Sequence, residues 1–246
     1  MRSLVIAVAQ PRVVALDVAT NATRHAAAVR AAAARVVVFP ELSLTGYELE
    51  APELAVDDPR LAPLVEACAA TDTIALAGAP VDGPHIGMLA VDGGGVRVAY
   101  RKRNPHSSEE RFRPGPSPEV LEVDGWRLGL AICRDTGIPE HLAETAELGI
   151  DAYVAGVVDP PAGDTVAADR ARRAGEAYGV WVATSSFAGP TGGGYTETAG
   201  RSGIWAPDGT VAARAGRAPG EIARATMVSP GRRAYDRAPA SSATRG

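Results

Sequence analysis

The sequence predicts an α/β domain built on mixed β-sheets. Two observations carry that reading. In the first half of the chain, short runs of β-branched and apolar residues alternate with longer alanine-rich stretches, the pattern of strands and helices packed in layers. Paired apolar runs also occur, joined by turns such as Asp92-Gly93-Gly94-Gly95 and Asp124-Gly125, and such pairs close as antiparallel hairpins. Strands linked by helices together with strands linked by tight turns give a sheet of mixed direction.

The elements follow in order. Leu4 to Val8 is an apolar first strand. Ala22 to Ala34 is alanine-rich and strongly helical, with Asn21 as its N-cap. Val36 to Phe39 is a buried strand, Leu61 to Ala70 a helix and Thr73 to Ala77 a strand. Ile86 to Val91 pairs with Val96 to Tyr100, and Val120 to Val123 pairs with Trp126 to Ile132. Pro139 to Leu148 and Thr165 to Tyr178 are helices, separated by the strand Ala152 to Val157 and followed by Val180 to Thr184. Three strands close the pattern, Ser202 to Trp205, Val211 to Ala215 and Glu221 to Thr226, with Pro207-Asp208-Gly209 turning the first into the second. We therefore place one domain over residues 1–228. Residues 229–246, rich in Pro, Ser, Ala and Arg and without periodicity, read as a disordered or partner-wrapping extension.

Composition narrows the function. A hydrophobic share of 46% over 246 residues is enough for a sizeable core. The net charge of −4 argues against a nucleic-acid partner, whose footprint is a basic patch. Two cysteines, Cys68 and Cys133, do not make a disulfide scaffold. The N-terminal apolar run is shorter than a signal peptide requires, and no stretch is long enough to cross a membrane, so the expected compartment is the cytoplasm, with no membrane partner.

Chemistry concentrates at the ends of three apolar runs. Gly129-Leu130-Ala131-Ile132 delivers Cys133 to a polar turn, Arg134-Asp135, with a helix starting beyond it at Pro139. A helix N-terminus nearby favours the thiolate, the reactive form of the thiol. Glu41 ends the run from Val36 to Pro40, and Lys102 follows the run from Val96 to Arg101. A base, a cation and a thiol at strand tips suit acyl transfer if the fold gathers them at one sheet edge. Each also has a plainer reading. A cysteine closing an apolar strand is usually a core residue, as Cys68 on its helix is expected to be. Lys102, within Arg101-Lys102-Arg103, would by itself be a solvated basic turn. A papain-type pair of Cys133 with His106 or His141 has no supporting signature, and the four histidines fit no metal motif. Asp135 is assigned a structural role, orienting the turn after Cys133 or capping the helix near Pro139. Gly192-Gly193-Gly194 lacks the spacing of a phosphate loop and reads as a flexible turn. Arg134, if it faces the pocket, would recognise a substrate carboxylate.

Three motifs in order carry a family resemblance. Phe39-Pro40-Glu41-Leu42-Ser43-Leu44-Thr45-Gly46-Tyr47, Tyr100-Arg101-Lys102, and Gly129 to Asp135 with Pro139-Glu140 resemble the glutamate, lysine and cysteine motifs of the nitrilase superfamily of carbon–nitrogen hydrolases. The segment from Gly192-Gly193-Gly194 through Ser202 to Gly209 is similar to the family's final strands, and the resemblance runs from about residue 4 to about residue 226. It implies a four-layer α-β-β-α sandwich of two mixed sheets and a homodimer or higher homo-oligomer. It also implies hydrolysis of a non-peptide carbon–nitrogen bond in a small-molecule amide-type substrate, with neither cofactor nor metal. Cys133 would be the nucleophile, Glu41 the general base, and Lys102 with the Arg134 N–H the oxyanion stabilisers. A second glutamate would position the lysine; Glu109 matches its spacing better than the adjoining Glu110. Tyr47, closing the glutamate motif, and Arg134 are assigned to substrate binding. The chain departs from the family at Asn104-Pro105-His106, where a His-Leu pair is frequent, and at Arg134, where an aromatic residue is frequent. These departures bear on the substrate rather than the reaction. A small aliphatic amide is the expected substrate. The alternatives are an N-carbamoyl amine or acid, a catalytically silent binding or scaffold relative, and a thiol redox sensor pairing Cys133 with Cys68.

Overall fold

The computed structural model of the chain describes residues 1–229. The proposed extension 229–246 lies, but for Ser229, outside the described residues. Two six-stranded sheets are stacked face to face. The first has the order β12 (Ile222–Val228), β1 (Ser3–Ala9), β2 (Val36–Val38), β3 (Ile74–Val81), β4 (His85–Asp92), β5 (Gly95–Arg101). The second has the order β11 (Val211–Arg214), β10 (Gly203–Trp205), β9 (Trp181–Ser186), β8 (Ala152–Val157), β7 (Trp126–Ile132), β6 (Val120–Val123). In each sheet three central strands run parallel, β1-β2-β3 and β7-β8-β9, and antiparallel strands flank them.

Strand alternation builds the layers. Along β1, Leu4, Ile6 and Val8 point into the core between the sheets, while Ala7 and Ala9 point outward under the helices. Leu128, Leu130 and Ile132 of β7 meet them from the other sheet. Helix α1 (Val18–Ala32) and helix α2 (Ala62–Thr71) cover the first sheet through Ala22, Ala26, Val29, Leu64 and Ala67. Helix α3 (Pro139–Glu147) and helix α4 (Asp164–Tyr178) cover the second, α4 packing Ala171 and Ala174 against Tyr153, Val157 and Val182. The architecture is the four-layer α-β-β-α sandwich. Cys68 is buried on α2, at the outer side of the first sheet, as expected for a core cysteine. Among the described residues no helix is long and apolar enough to cross a membrane.

Two sequence expectations need correction. Helix α1 starts at Val18 with Asp17 as its N-cap, the Asp17 carboxylate accepting the Thr20 N–H at 3.0 Å. Asn21 lies inside the helix, where its buried amide instead ties the loop before the helix to the Leu44 carbonyl at 3.0 Å. Strand β3 runs four residues past Ala77, through Gly78 and Pro80 to Val81. Pairing with β2 stops at Leu76; beyond it the Gly78 and Pro80 carbonyls accept the Leu44 and Leu54 N–H groups at 3.0 and 2.9 Å, and with no strand beside it there Pro80 removes no ladder bond.

Candidate active site

Each of the three predicted residues follows the end of a strand: Glu41 three residues after β2, Lys102 directly after β5 and Cys133 directly after β7. Beyond β2 the chain turns sharply at Glu41, which is buried, and Leu42 takes a left-handed φ of 53°. The turn is held by Ser43 N–H to the Pro40 carbonyl at 3.2 Å and by the Ser43 hydroxyl against His25 Nε2 at 2.8 Å. Burial keeps His25 neutral by pulling its pKa down to about 4. Two glycines let the turn sit between the sheets. A Cβ at Gly78 of β3 would stand 2.1 Å from the Leu42 nitrogen, and one at Gly156 of β8 would stand 2.5 Å from the Phe39 oxygen.

Lys102 leaves the end of β5 and is fully buried. Its N–H donates to the Ile86 carbonyl at 2.8 Å, and its own carbonyl accepts the Gly115 N–H at 2.7 Å. The ammonium donates to Glu41 Oε1 at 2.6 Å and to both oxygens of Glu109 at 2.8 Å. Glu109, also buried, accepts the Tyr47 hydroxyl at 2.6 Å and the His106 N–H at 2.6 Å. Glu109 therefore reaches the lysine, whereas Glu110 is exposed. Tyr47 touches the site through Glu109.

Cys133 opens the short 3-10 turn after β7 and adopts φ 45°, a strained value for a residue with a Cβ. It is half-buried, and its thiol donates to the Val158 carbonyl at 3.5 Å. A small cleft lined by Cys133, Thr136, Tyr153, Asp159, Arg170 and Thr184 lies between the cysteine turn and α4.

Burial and charge set the proton affinities. Burial pushes Glu41 up to about 7; Lys102 opposes this, and the Glu109 charge adds to it. The thiol of Cys133 lies close enough to pull slightly the other way, yet Glu41 Oε2 has no hydrogen-bond partner among the described residues. Burial lowers Lys102, but Glu41, Cys133 and Glu109 outweigh it and hold the ammonium above its ordinary range. Burial and the Glu41 charge raise Cys133 well above an ordinary thiol, against the pull of Lys102. The resting thiol is thus protonated beside a buried carboxylate with a free oxygen, an arrangement suited to general-base removal of the proton during attack.

The remaining expectations sort themselves by position. Arg134 is exposed on the turn. His141 bonds to the Tyr100 and Tyr153 hydroxyls, and His106 Nδ1 bonds to the Ser108 hydroxyl, so neither forms a papain-type pair with Cys133. Asp135 accepts the Ile132 N–H at 3.0 Å and so orients the cysteine turn; it does not cap α3, whose N-cap Ile138 has no side-chain bond. Gly192 and Gly193 pack against Tyr47, too close for a Cβ. Sequence reasoning missed Asp159 and Tyr195. Burial raises Asp159 to about 6, and its charge helps to raise Cys133. Tyr195 meets the Tyr47 ring edge-on at 5.6 Å. Asp159 closes an apolar strand just as Glu41 does, and that was the one available signal. Among the described residues no cluster of three or more His, Cys, Asp or Glu side chains is arranged to hold a metal ion.

The carbon–nitrogen hydrolase family matches residues 5–237. A Pseudomonas protegens protein described as a hydrolase in the pqqF 5′ region is 30% identical over 215 residues, 82% of this chain and 75% of that one. A formamidase of Pseudomonas syringae pv. syringae is 33% identical over 126 residues, 47% of this chain and only 37% of the relative. Among solved structures, a cysteine-to-alanine mutant of the amidase from Nesterenkonia sp. AN1 in complex with butyramide superposes with a TM-score of 0.81 at 22% identity, covering 91% of this chain and 90% of that one. A Saccharomyces cerevisiae member of branch 10 of the nitrilase superfamily gives 0.80 at 20% identity, covering 93% and 91%. The chain belongs to the carbon–nitrogen hydrolase family.

Proposed function

We propose that the chain hydrolyses small aliphatic amides through a thioester on Cys133. The observation that carries this reading is the buried Lys102 ammonium bonded at 2.6 Å to Glu41 and at 2.8 Å to Glu109, beside a half-buried cysteine on a strained turn. Burying one cation with two carboxylates is costly, and perturbed groups of this kind gather where chemistry needs them. The amidase among the structural neighbours and the formamidase among the relatives support the substrate class.

The sulfur of Cys133 attacks the amide carbon as Glu41 takes the thiol proton, and the carbonyl electrons move onto oxygen. Lys102 and the Arg134 N–H stabilise that oxyanion. Glu41 returns the proton to nitrogen as the carbon–nitrogen bond breaks and ammonia leaves. Water then attacks the thioester, giving its proton to Glu41. The carbon–sulfur bond breaks, the acid departs and the proton goes back to sulfur.

Ammonia release from a panel of short amides, ureido compounds and nitriles tests the proposal. Short amides are expected to lead, and Cys133→Ala to abolish turnover of every compound. An acyl adduct on Cys133 should appear by mass spectrometry. Turnover that survives Cys133→Ala would refute the mechanism, and a lead by ureido compounds would reassign the substrate to the N-carbamoyl class.

A further inference from the structure

We infer that Asp135 is a positioning residue for this reaction: its buried carboxylate clamps the cysteine turn to the lysine strand and so fixes where the sulfur stands relative to the ammonium. The inference rests on the hydrolase reading above.

Four donors converge on this carboxylate, which has no exposed surface. Oδ2 accepts the N–H of Ile132, the residue before Cys133, at 3.0 Å, and the Tyr100 hydroxyl at 2.7 Å. Oδ1 accepts the N–H and the side-chain amide of Asn104, both at 2.9 Å. Tyr100 and Asn104 lie on either side of Lys102 in the chain. One carboxylate thus grips the approach to the nucleophile and both flanks of the cation, although β5 and β7 belong to different sheets. A residue that only capped its own turn would need the Ile132 bond alone.

The chain of bonds continues with a fixed polarity. Tyr100 has one proton, and an ionised Asp135 can only accept, so that proton goes to Asp135. His141 Nε2, 2.8 Å from the Tyr100 oxygen, must then donate to it. His141 Nδ1 is left to accept the Tyr153 hydroxyl at 2.9 Å. Burial lowers the pKa of His141, in keeping with this neutral tautomer. The line runs from β8 through α3 and β5 to the cysteine turn, and buried carboxylates, imidazoles and hydroxyls in such a network hold one geometry. The positive φ of Cys133 persists only where its surroundings over-determine it; the Thr136 hydroxyl donates to the Cys133 carbonyl at 2.7 Å within the turn, and Asp135 is the side chain that ties the turn to the lysine strand.

Asp135→Asn and Tyr100→Phe test the clamp against the wild-type protein, with turnover of the best amide and alkylation of Cys133 by iodoacetamide read in parallel. The asparagine amide must turn a donor either toward Ile132 and Tyr100 or toward Asn104, and at both places an acceptor is needed. We expect kcat to fall about 100-fold in Asp135→Asn and about 10-fold in Tyr100→Phe, with KM within about threefold of wild type. Alkylation of Cys133 should slow in the same order. A purely structural role predicts a lower Tm with unchanged kcat per folded molecule. That result, or a loss confined to KM, overturns the proposal. If Asp135→Asn does not fold, Tyr100→Phe decides on the same criteria. If wild type turns over no amide, the functional reading fails by itself, and the alkylation rates still decide the clamp: equal rates in wild type and Tyr100→Phe overturn it.

Discussion

Glu41 is asked to be a base in a place where carrying charge is difficult. Burial raises it to about 7, and the neighbouring Glu109 charge contributes to the rise. Below that value Glu41 is protonated and cannot take the thiol proton, so kcat/KM, which reports groups of the free enzyme, should climb with pH through about 7. Glu109→Gln removes a negative charge from the site and eases ionisation of Glu41. Its ascending limb should therefore move to lower pH, even as its maximal rate drops because Lys102 loses a partner. A pH–rate profile of both proteins decides the matter, and a limb that stays in place would mean Glu109 does not act on Glu41. At this scale the three central residues were legible because three motifs in order frame them; taken singly, a cysteine closing a strand reads as core and Lys102 as a solvated basic turn. Tyr100, His141 and the contacts of Asp135 were not legible, because hydrogen bonds between sheets leave no period in the sequence.

Most elements were legible from strand alternation and turn residues. β8 falls where the pattern put it because full burial makes its apolar run unbroken, and β6 and β7 because apolar residues flank the turn Asp124-Gly125 that joins them. The error at β3 is instructive. Gly78 and Pro80 look like breakers, but Gly78 is there so that the glutamate turn can lie against the strand backbone. Gly156 does the same from the second sheet, 3.0 Å from the Glu41 nitrogen by the position its Cβ would take. The obstructing atoms are backbone and cannot step aside as a side chain would. Gly156→Ala should therefore cost about 1–3 kcal/mol of stability by overpacking and lower kcat more than about tenfold by displacing Glu41. Gly94→Ala, whose Cβ would meet only the exposed Asp92 side chain, is the control and should change stability by less than about 0.5 kcal/mol. Chemical denaturation and initial rates on the three proteins would measure this. Equal behaviour of the two variants would show that the wedge is not tight.

At the scale of the molecule, the site exists only while the two sheets are docked, since Glu41 and Lys102 come from the first and Cys133 from the second. Folding must therefore bury two carboxylates against one ammonium, and stability carries the cost. The folded Glu41 holds its proton up to about 7, above the ordinary 4.5 it returns to on unfolding. A raised carboxyl contributes stability that is fully present below the unfolded value and is lost as pH rises through the folded one. The window is thus from about 4.5 to about 7, and above it the protein pays for an ionised, buried Glu41. Glu41→Gln cannot ionise and leaves Lys102 its two bonds to Glu109. The variant should melt at a higher temperature than wild type at pH 8, by a margin that shrinks as the buffer is taken towards pH 5, while turnover is lost because glutamine accepts no proton. Thermal melts of both proteins at the two pH values are sufficient. A margin that does not depend on pH would mean that the cost of this trio lies in packing rather than in charge, and the electrostatic account of the site would have to be abandoned.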